Sequence, residues 1–248
     1  IRNLIFIIVL CSFFHLRLYT FNLQGNSFKY NPKSLATNNP NFFTKNQLID
    51  NIFNTLVWGV PIWTAYEVIT LWAFANGIIY NVSWQLHPIY CFLLFIITPT
   101  IQSVHFYFVH RLLHWKPLYK YVHKVHHNNV NIGPWSGLSF HPIEHVFFFS
   151  VILIFWIIPC NPLIAMWCLF FTAFAPIPGH SGYDKMLFKN GKFIPAGDYN
   201  HQLHHKYFEC NYSGSGTSIL DKIFGTFHDG SDESMILFKE KLKNKTYL

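Results

Sequence analysis

Charge is scarce in this chain: only 12% of its 248 residues are charged, against 51% hydrophobic and 19% aromatic, and the mean hydropathy is +0.22. A soluble domain of this length could not hide 27 Phe and 8 Trp, so the composition points to a membrane protein. Cys-x-x-Cys is absent too. Cys11, Cys91, Cys160, Cys168 and Cys210 are odd in number and lie mostly in apolar runs, which excludes a disulfide framework and a thiolate metal site and leaves buried, reduced thiols. The Gly-Ser-Gly at 214–216 has no Gly-Lys-Ser/Thr after it, so it is not a phosphate loop. The net charge of +7 is spread over several segments as flanks of apolar runs, with no aromatic and basic platform of the kind that binds nucleic acid.

What the chain has in excess is histidine, 15 in all. Residues 110–127 read HRLLHWKPLYKYVHKVHH, and a second His-x-x-His-His occurs at His201, His204 and His205. A helix returns to the same face every three to four residues, so His110 and His114 can aim at one point, and the same spacing suggests that His123, His126 and His127 share a target. Neutral imidazole is the commonest side-chain metal ligand because it offers a lone pair near neutral pH without burying an anion. Two copies of His-x-x-His-His beside a His-x-x-x-His therefore predict a metal site embedded in an apolar fold. His180 is a further candidate; His141 and His145 are weaker ones, since Pro142 suits a first helical turn that His141 could cap. His105 is spaced poorly for the face of His110, and His15, His87 and His228 have no partner at useful spacing.

The apolar runs give the frame. Residues 1–22 form a membrane or interfacial helix and 23–47 a polar loop; 51–80 is long enough to span a bilayer, with Pro61 as a bend and Glu67 as its one internal charge, read as a paired or snorkelling structural residue ahead of a catalytic one. Residues 88–109 form the next span. Two short arms, 146–158 and 162–174, are expected to make a short-span hairpin or a re-entrant pair. The loop 128–140 would lie over the mouth of the site, and the chain beyond Asp229 reads as a solvated tail. Lys116, Lys120, Lys124, Lys185, Lys189 and Lys192 flank the histidine motifs, whereas 81–87 holds neither Lys nor Arg, which assigns the histidines to the cytoplasmic face. The expected fold is all-α, a multi-span membrane helical bundle with its histidine motifs on the cytoplasmic side. Residues 1–50 form an N-terminal membrane or interfacial segment with its loop, and 51–248 the membrane domain, with core motifs in 105–228.

Taken in order, His110-Arg-Leu-Leu-His114, Tyr119-Lys-Tyr-Val-His123-Lys-Val-His126-His127, His141-Pro-Ile-Glu144, His180-Ser-Gly-Tyr183, His201-x-x-His204-His205 and Leu220-Asp221-x-x-Phe224-Gly225-Thr226 resemble the sterol desaturase / fatty acid hydroxylase superfamily. The resemblance covers about half the chain and is closest to the sterol-modifying branch. The stretch from Pro134 to His145 departs from the pattern, so the substrate does not carry over. The resemblance implies a bundle of about four spans with a cytosolic helical cap holding a histidine-rich dinuclear metal site, and His110, His114, His123, His126, His127, His180, His201, His204 and His205 as its metal ligands. Fatty acid hydroxylases of the group have another His four residues before the counterpart of His180; here that place is Pro176. It also implies two iron ions, O2 as cosubstrate, and an external electron donor such as cytochrome b5. Zinc suits the ligands but is not redox-active. The expected activity is hydroxylation or desaturation of a sterol or fatty-acyl lipid in the endoplasmic reticulum membrane, with the mitochondrial inner membrane as the alternative. The rival is a catalytically silent family member serving as a structural subunit among other membrane proteins. A zinc hydrolase is disfavoured because no His-Glu-x-x-His is present.

Overall fold

The computed structural model describes residues 1–214 and 218–245. Four helices are long and apolar enough to cross a membrane: α1 (Arg2–Thr20), α2 (Gln47–Ala75), α3 (Pro88–Leu113) and α6 (Pro162–Gly179). Between them lie α4 (116–127) and the shorter apolar α5 (Pro142–Ile157). After α6 come a small antiparallel ribbon, β1 (Lys185–Leu187) with β2 (Phe193–Pro195), then α7 (Tyr199–Tyr207), α8 (Ile219–Ile223) and α9 (Asp232–Lys245). The architecture is thus helical, with the ribbon as the one unforeseen sheet among the described residues.

The spans start where sequence chemistry allows a helix to start. Asn46 caps α2 by accepting from Leu48 and Ile49 N–H, Asn161 caps α6 by accepting from Leu163 N–H, and α3 and α6 both carry Pro in the first turn, where no N–H is needed. Each span leaves apolar side chains outward and buries the rest against its neighbours, as expected of helices whose surroundings are lipid. Glu67 does not stand alone: it pairs with Arg2 and accepts from Asn3 Nδ2 at 2.9 Å, a structural role.

The hairpin is settled by contacts at the end remote from the histidines. Val82 N–H donates to the Cys160 carbonyl at 3.1 Å and Asn161 Nδ2 donates to the Val82 carbonyl at 3.0 Å, so the turn after α5 reaches the level of the loop joining α2 and α3. α5 therefore runs the length of the bundle as a short-span hairpin arm; its 3₁₀ stretch Ser150–Leu153 gains rise per residue over a pure α-helix. Its partner α6 continues past 174 to Gly179 and is not short: Ala175, Pro176 and Ile177 stay helical and pack under the loop 128–140.

Two further expectations are corrected. The loop 128–140 does not merely cover the site: a 3₁₀ turn, Pro134–Leu138, is buried throughout, and a Cβ on Gly137 would come within 2.7 Å of the Pro176 carbonyl oxygen, so the backbones touch. The chain beyond Asp229 is not a free tail. It forms α9, whose Phe238 ring packs on Tyr207 and His228; Met235 and Phe238, three residues apart, turn inward among its charges, while Ile236 and Leu237 stay exposed. The Gly-Ser-Gly segment extends into 215–217, outside the described residues. All five cysteines are buried and unpaired.

Candidate metal centre

At the cap end of the bundle, nine histidines converge from four places: the end of α3, α4, the turn after α6, and α7. They form two groups. His110, His114, His123, His127 and His204 make one, and His126, His180, His201 and His205 the other, with the ring nitrogens of each group within 4.8 Å of one another.

The grouping differs from the expectation that His123, His126 and His127 share one target. In each His-x-x-His-His motif the outer pair, four residues apart, stays together, and the histidine between them turns to the other group. His123 and His127 are joined by His204 of α7, while His201 and His205 are joined by His126 of α4. The cause is helical geometry. Consecutive residues such as His126 and His127 lie about 100° apart around the axis, so they cannot face one ion together. The π-helical turn Tyr119–His123 widens the coil and brings His123 Nε2 to 3.0 Å from His127 Nε2.

Several rings are oriented from behind. His110 Nδ1–H donates to the Tyr212 carbonyl at 2.7 Å, His204 Nδ1–H to the Cys210 carbonyl at 2.5 Å, His180 Nδ1–H to the Pro176 carbonyl at 2.8 Å, and His123 Nδ1–H to Glu144 Oε1 at 2.8 Å. A neutral ring that donates through Nδ1 leaves only a lone pair on Nε2. These Nε2 atoms then face one another: His127 lies 3.1 Å from both His114 and His204, and His180 lies 3.0 Å from His201 and 3.3 Å from His205. Facing lone pairs at such separations repel, and too few protons remain to convert all of them into hydrogen bonds. A cation between them removes the conflict. Edges near 3.1 Å belong to an octahedron whose vertices lie about 2.2 Å from its centre, close to the range of metal–imidazole bonds. The donor set therefore fits a metal ion in each group.

Burial keeps the rings neutral. His123, His126, His127, His201, His204 and His205 are all pushed well below the usual histidine range, first by desolvation and then by neighbouring imidazoles, and His180 is pushed down to about 4 by desolvation. The Cys210 thiol is pushed up to about 12 by burial, so it offers a carbonyl here, not a thiolate.

Other histidines stay outside. His141 caps α5, its Nδ1 accepting from Ile143 N–H at 3.2 Å, and His145 is buried between Phe140 and Phe149. His105 bonds Ser150 Oγ, and His228 accepts from Gly230 N–H. His15 stacks on Tyr19, and His87 is exposed. Pro176, four residues before His180, contributes the carbonyl that orients His180.

Sequence reasoning passed over three supports. Glu144 was visible only as part of a motif, with no role. Asp221 accepts from Tyr212 and Ser213 N–H at 2.8 and 2.9 Å, which holds the Tyr212 carbonyl in place for His110. Asn129 ties the end of α4 to Gln47 and Asn51 of α2. Spacing could have flagged Glu144, three residues after His141, and Asp221 stands in the last of the quoted motifs; nothing in the local pattern marks Asn129.

A partly open cavity of about 60 Å³ reaches from the histidines of both groups into the bundle, walled by Phe106, Phe140, Phe148 and Phe171. The fatty acid hydroxylase family model matches residues 92–226, more than half the chain and the whole histidine region. The chain belongs to this family. Within the sterol desaturase / fatty acid hydroxylase superfamily, it is 36% identical over 148 residues to methylsterol monooxygenase 1 of Gallus gallus, covering 58% of this chain and 48% of that protein. It is 34% identical to the Rattus norvegicus methylsterol monooxygenase 1 over 58% of this chain and 47% of that one. To a Delta(7)-sterol 5(6)-desaturase of Candida glabrata it is 29% identical over 66% of this chain and 43% of that protein. The chain thus spans about half the length of these curated relatives. No solved structure matches it significantly.

Proposed function

We propose that this family member is a membrane-bound oxidoreductase that uses O2 to hydroxylate or desaturate a lipid, with a sterol as the favoured substrate class. The observation that carries the reading is the pairing of two closed imidazole groups with a phenylalanine-walled cavity that touches both. The names of the relatives, methylsterol monooxygenase and sterol desaturase, support the substrate class.

On this reading His110, His114, His123, His127 and His204 hold one iron, and His126, His180, His201 and His205 the other. Iron supplies what no acid–base side chain can, the redox activation of O2 needed at an unactivated C–H bond. The chain supplies the rest. Burial keeps the enclosed imidazoles neutral and available, the carbonyls of Tyr212, Cys210 and Pro176 and the Glu144 carboxylate fix ring orientation, and the Phe walls exclude water and seat the apolar body of the lipid. Electrons come from an external carrier such as cytochrome b5. The membrane is that of the endoplasmic reticulum, with the histidine cap on the cytosolic side.

The test is turnover by the iron-loaded protein in lipid nanodiscs, given reductant, O2 and a methylsterol or a Delta(7)-sterol, with mass spectrometry of the product. Gain of one oxygen marks hydroxylation and loss of two hydrogens marks desaturation. An unaltered sterol pool in protein that holds its metal would instead favour the accessory-subunit reading.

A further inference from the structure

One face of α3 carries more than the metal reading explains. Gln102, Phe106 and His110 stand four residues apart and line the cavity in sequence, so an amide, an aromatic ring and an imidazole share one side of the helix. Gln102 lies deep in this 26-residue span, two turns or about 12 Å along the axis from His110, and is only 7% exposed. Two other polar side chains of α3 are satisfied within their own helix: Thr98 Oγ1 donates to the Leu94 carbonyl at 2.7 Å and Ser103 Oγ to the Pro99 carbonyl at 2.9 Å. The Gln102 amide makes no hydrogen bond within the described residues, and the residue lines the cavity. On another wall of the same cavity, Ser213 Oγ is buried and also unpartnered among them.

A buried amide without a partner is costly, and polar side chains inside membrane spans are kept where they meet a ligand. Phe106, Phe140, Phe148 and Phe171 would bind hydrocarbon equally well if position 102 were Leu or Met. The amide adds selection for a polar group.

We propose that Gln102 is a specificity-determining residue whose side-chain amide hydrogen-bonds a hydroxyl of the lipid in the cavity, with Ser213 as a second polar contact. This rests on the lipid-oxidising reading above and names the polar feature of the substrate that the same site selects. An amide both donates and accepts, so it meets a hydroxyl in either sense. A hydroxyl drawn from the headgroup layer into the bundle loses its water, and Gln102 replaces that partner. A lipid lacking the hydroxyl leaves the amide unpaired, so the site discriminates against it.

The experiment is competition binding to the full chain in nanodiscs, using a radiolabelled methylsterol displaced by the unlabelled sterol or by its deoxy analogue at equal membrane mole fraction. A long-chain alcohol and the matching alkane, displacing a radiolabelled long-chain alcohol, form a second pair. The wild-type protein is expected to favour the sterol over its deoxy analogue by about tenfold, the worth of one or two hydrogen bonds. Gln102→Met, close in size, should bring that preference to within about twofold while retaining the deoxy analogue, and Ser213→Ala should weaken it about twofold. Metal content and the thermal midpoint report whether each variant is folded, and Gln102→Asn, which shortens the amide, serves where Gln102→Met does not assemble. A preference that survives at position 102 overturns the proposal, as does the absence of any hydroxyl preference in either lipid pair. If neither sterol binds but the alcohol shows a Gln102-dependent preference, the sterol reading falls and the role of Gln102 stands.

Discussion

The five-histidine and four-histidine groups are assembled from the same two motifs, yet they are supported differently. In the first, His110, His123 and His204 are each held from behind, by the Tyr212 carbonyl, Glu144 and the Cys210 carbonyl. In the second, His180 has such a bond and the Ser139 backbone lies behind His126, whereas His201 and His205 have Nδ1 atoms without a partner among the described residues, as does His127 of the first. Partners of this kind fix the tautomer and raise the basicity of a ligand. The five-histidine group alone has a carboxylate behind a ring, and the four-histidine group has fewer histidines and so more freedom to adjust. A metal pair built this way has one tightly held member and one whose coordination sphere has more room for change.

The largest expected effect comes from removing one ligand on each side. His204→Ala and His201→Ala should each lower sterol oxidation by at least about a hundredfold, since residues that act as a unit fail together. Metal content, near two ions per chain in the parent, should fall to near one in each variant. Elemental analysis beside turnover decides this, and loss of both ions from either variant would show that the two groups are not separable.

A smaller effect should follow from Glu144→Ala. Losing the carboxylate behind His123 should weaken binding in the five-histidine group by roughly ten- to a hundredfold and leave the other group unchanged. Chelator titration reads it: the parent should release metal in two steps, and the variant should bring those steps together.

The smallest effect concerns pH. These histidines have folded-state values below the unfolded value, so the unfolded chain takes up protons first as the solution is acidified. Stability of the metal-free protein should be full above about pH 6.5 and decline as the pH falls through that value toward 4, where His180 is placed. Thermal midpoints between pH 8 and 4 test the sign. A midpoint that rose on acidification would mean that the rings are already charged when folded.

Much of the architecture could be read without coordinates, because apolar length and histidine spacing are local properties. The spans around 51–80 and 88–109 were set by hydrophobic runs that no soluble fold would accommodate, and the helix boundaries moved by only a few residues. The arms 146–158 and 162–174 were read less well. Whether a short apolar run crosses the bundle depends on what its far end touches, and Cys160 and Asn161 meet Val82 from a distant part of the chain. Beyond Asp229 the charged residues outweighed the spaced apolar ones in the sequence, whereas the fold offers Tyr207 and His228 as a surface for Phe238.

The sequence by itself determined that the protein is a helical membrane protein and that its histidines recur at helical spacing, because hydrophobicity and periodicity act over one turn or one span. Only the tertiary structure decided how those histidines are shared. His126 leaves its own motif for the group of His201 and His205, and His204 crosses the other way, because neighbours on a helix point in different directions and each finds its companions on another segment.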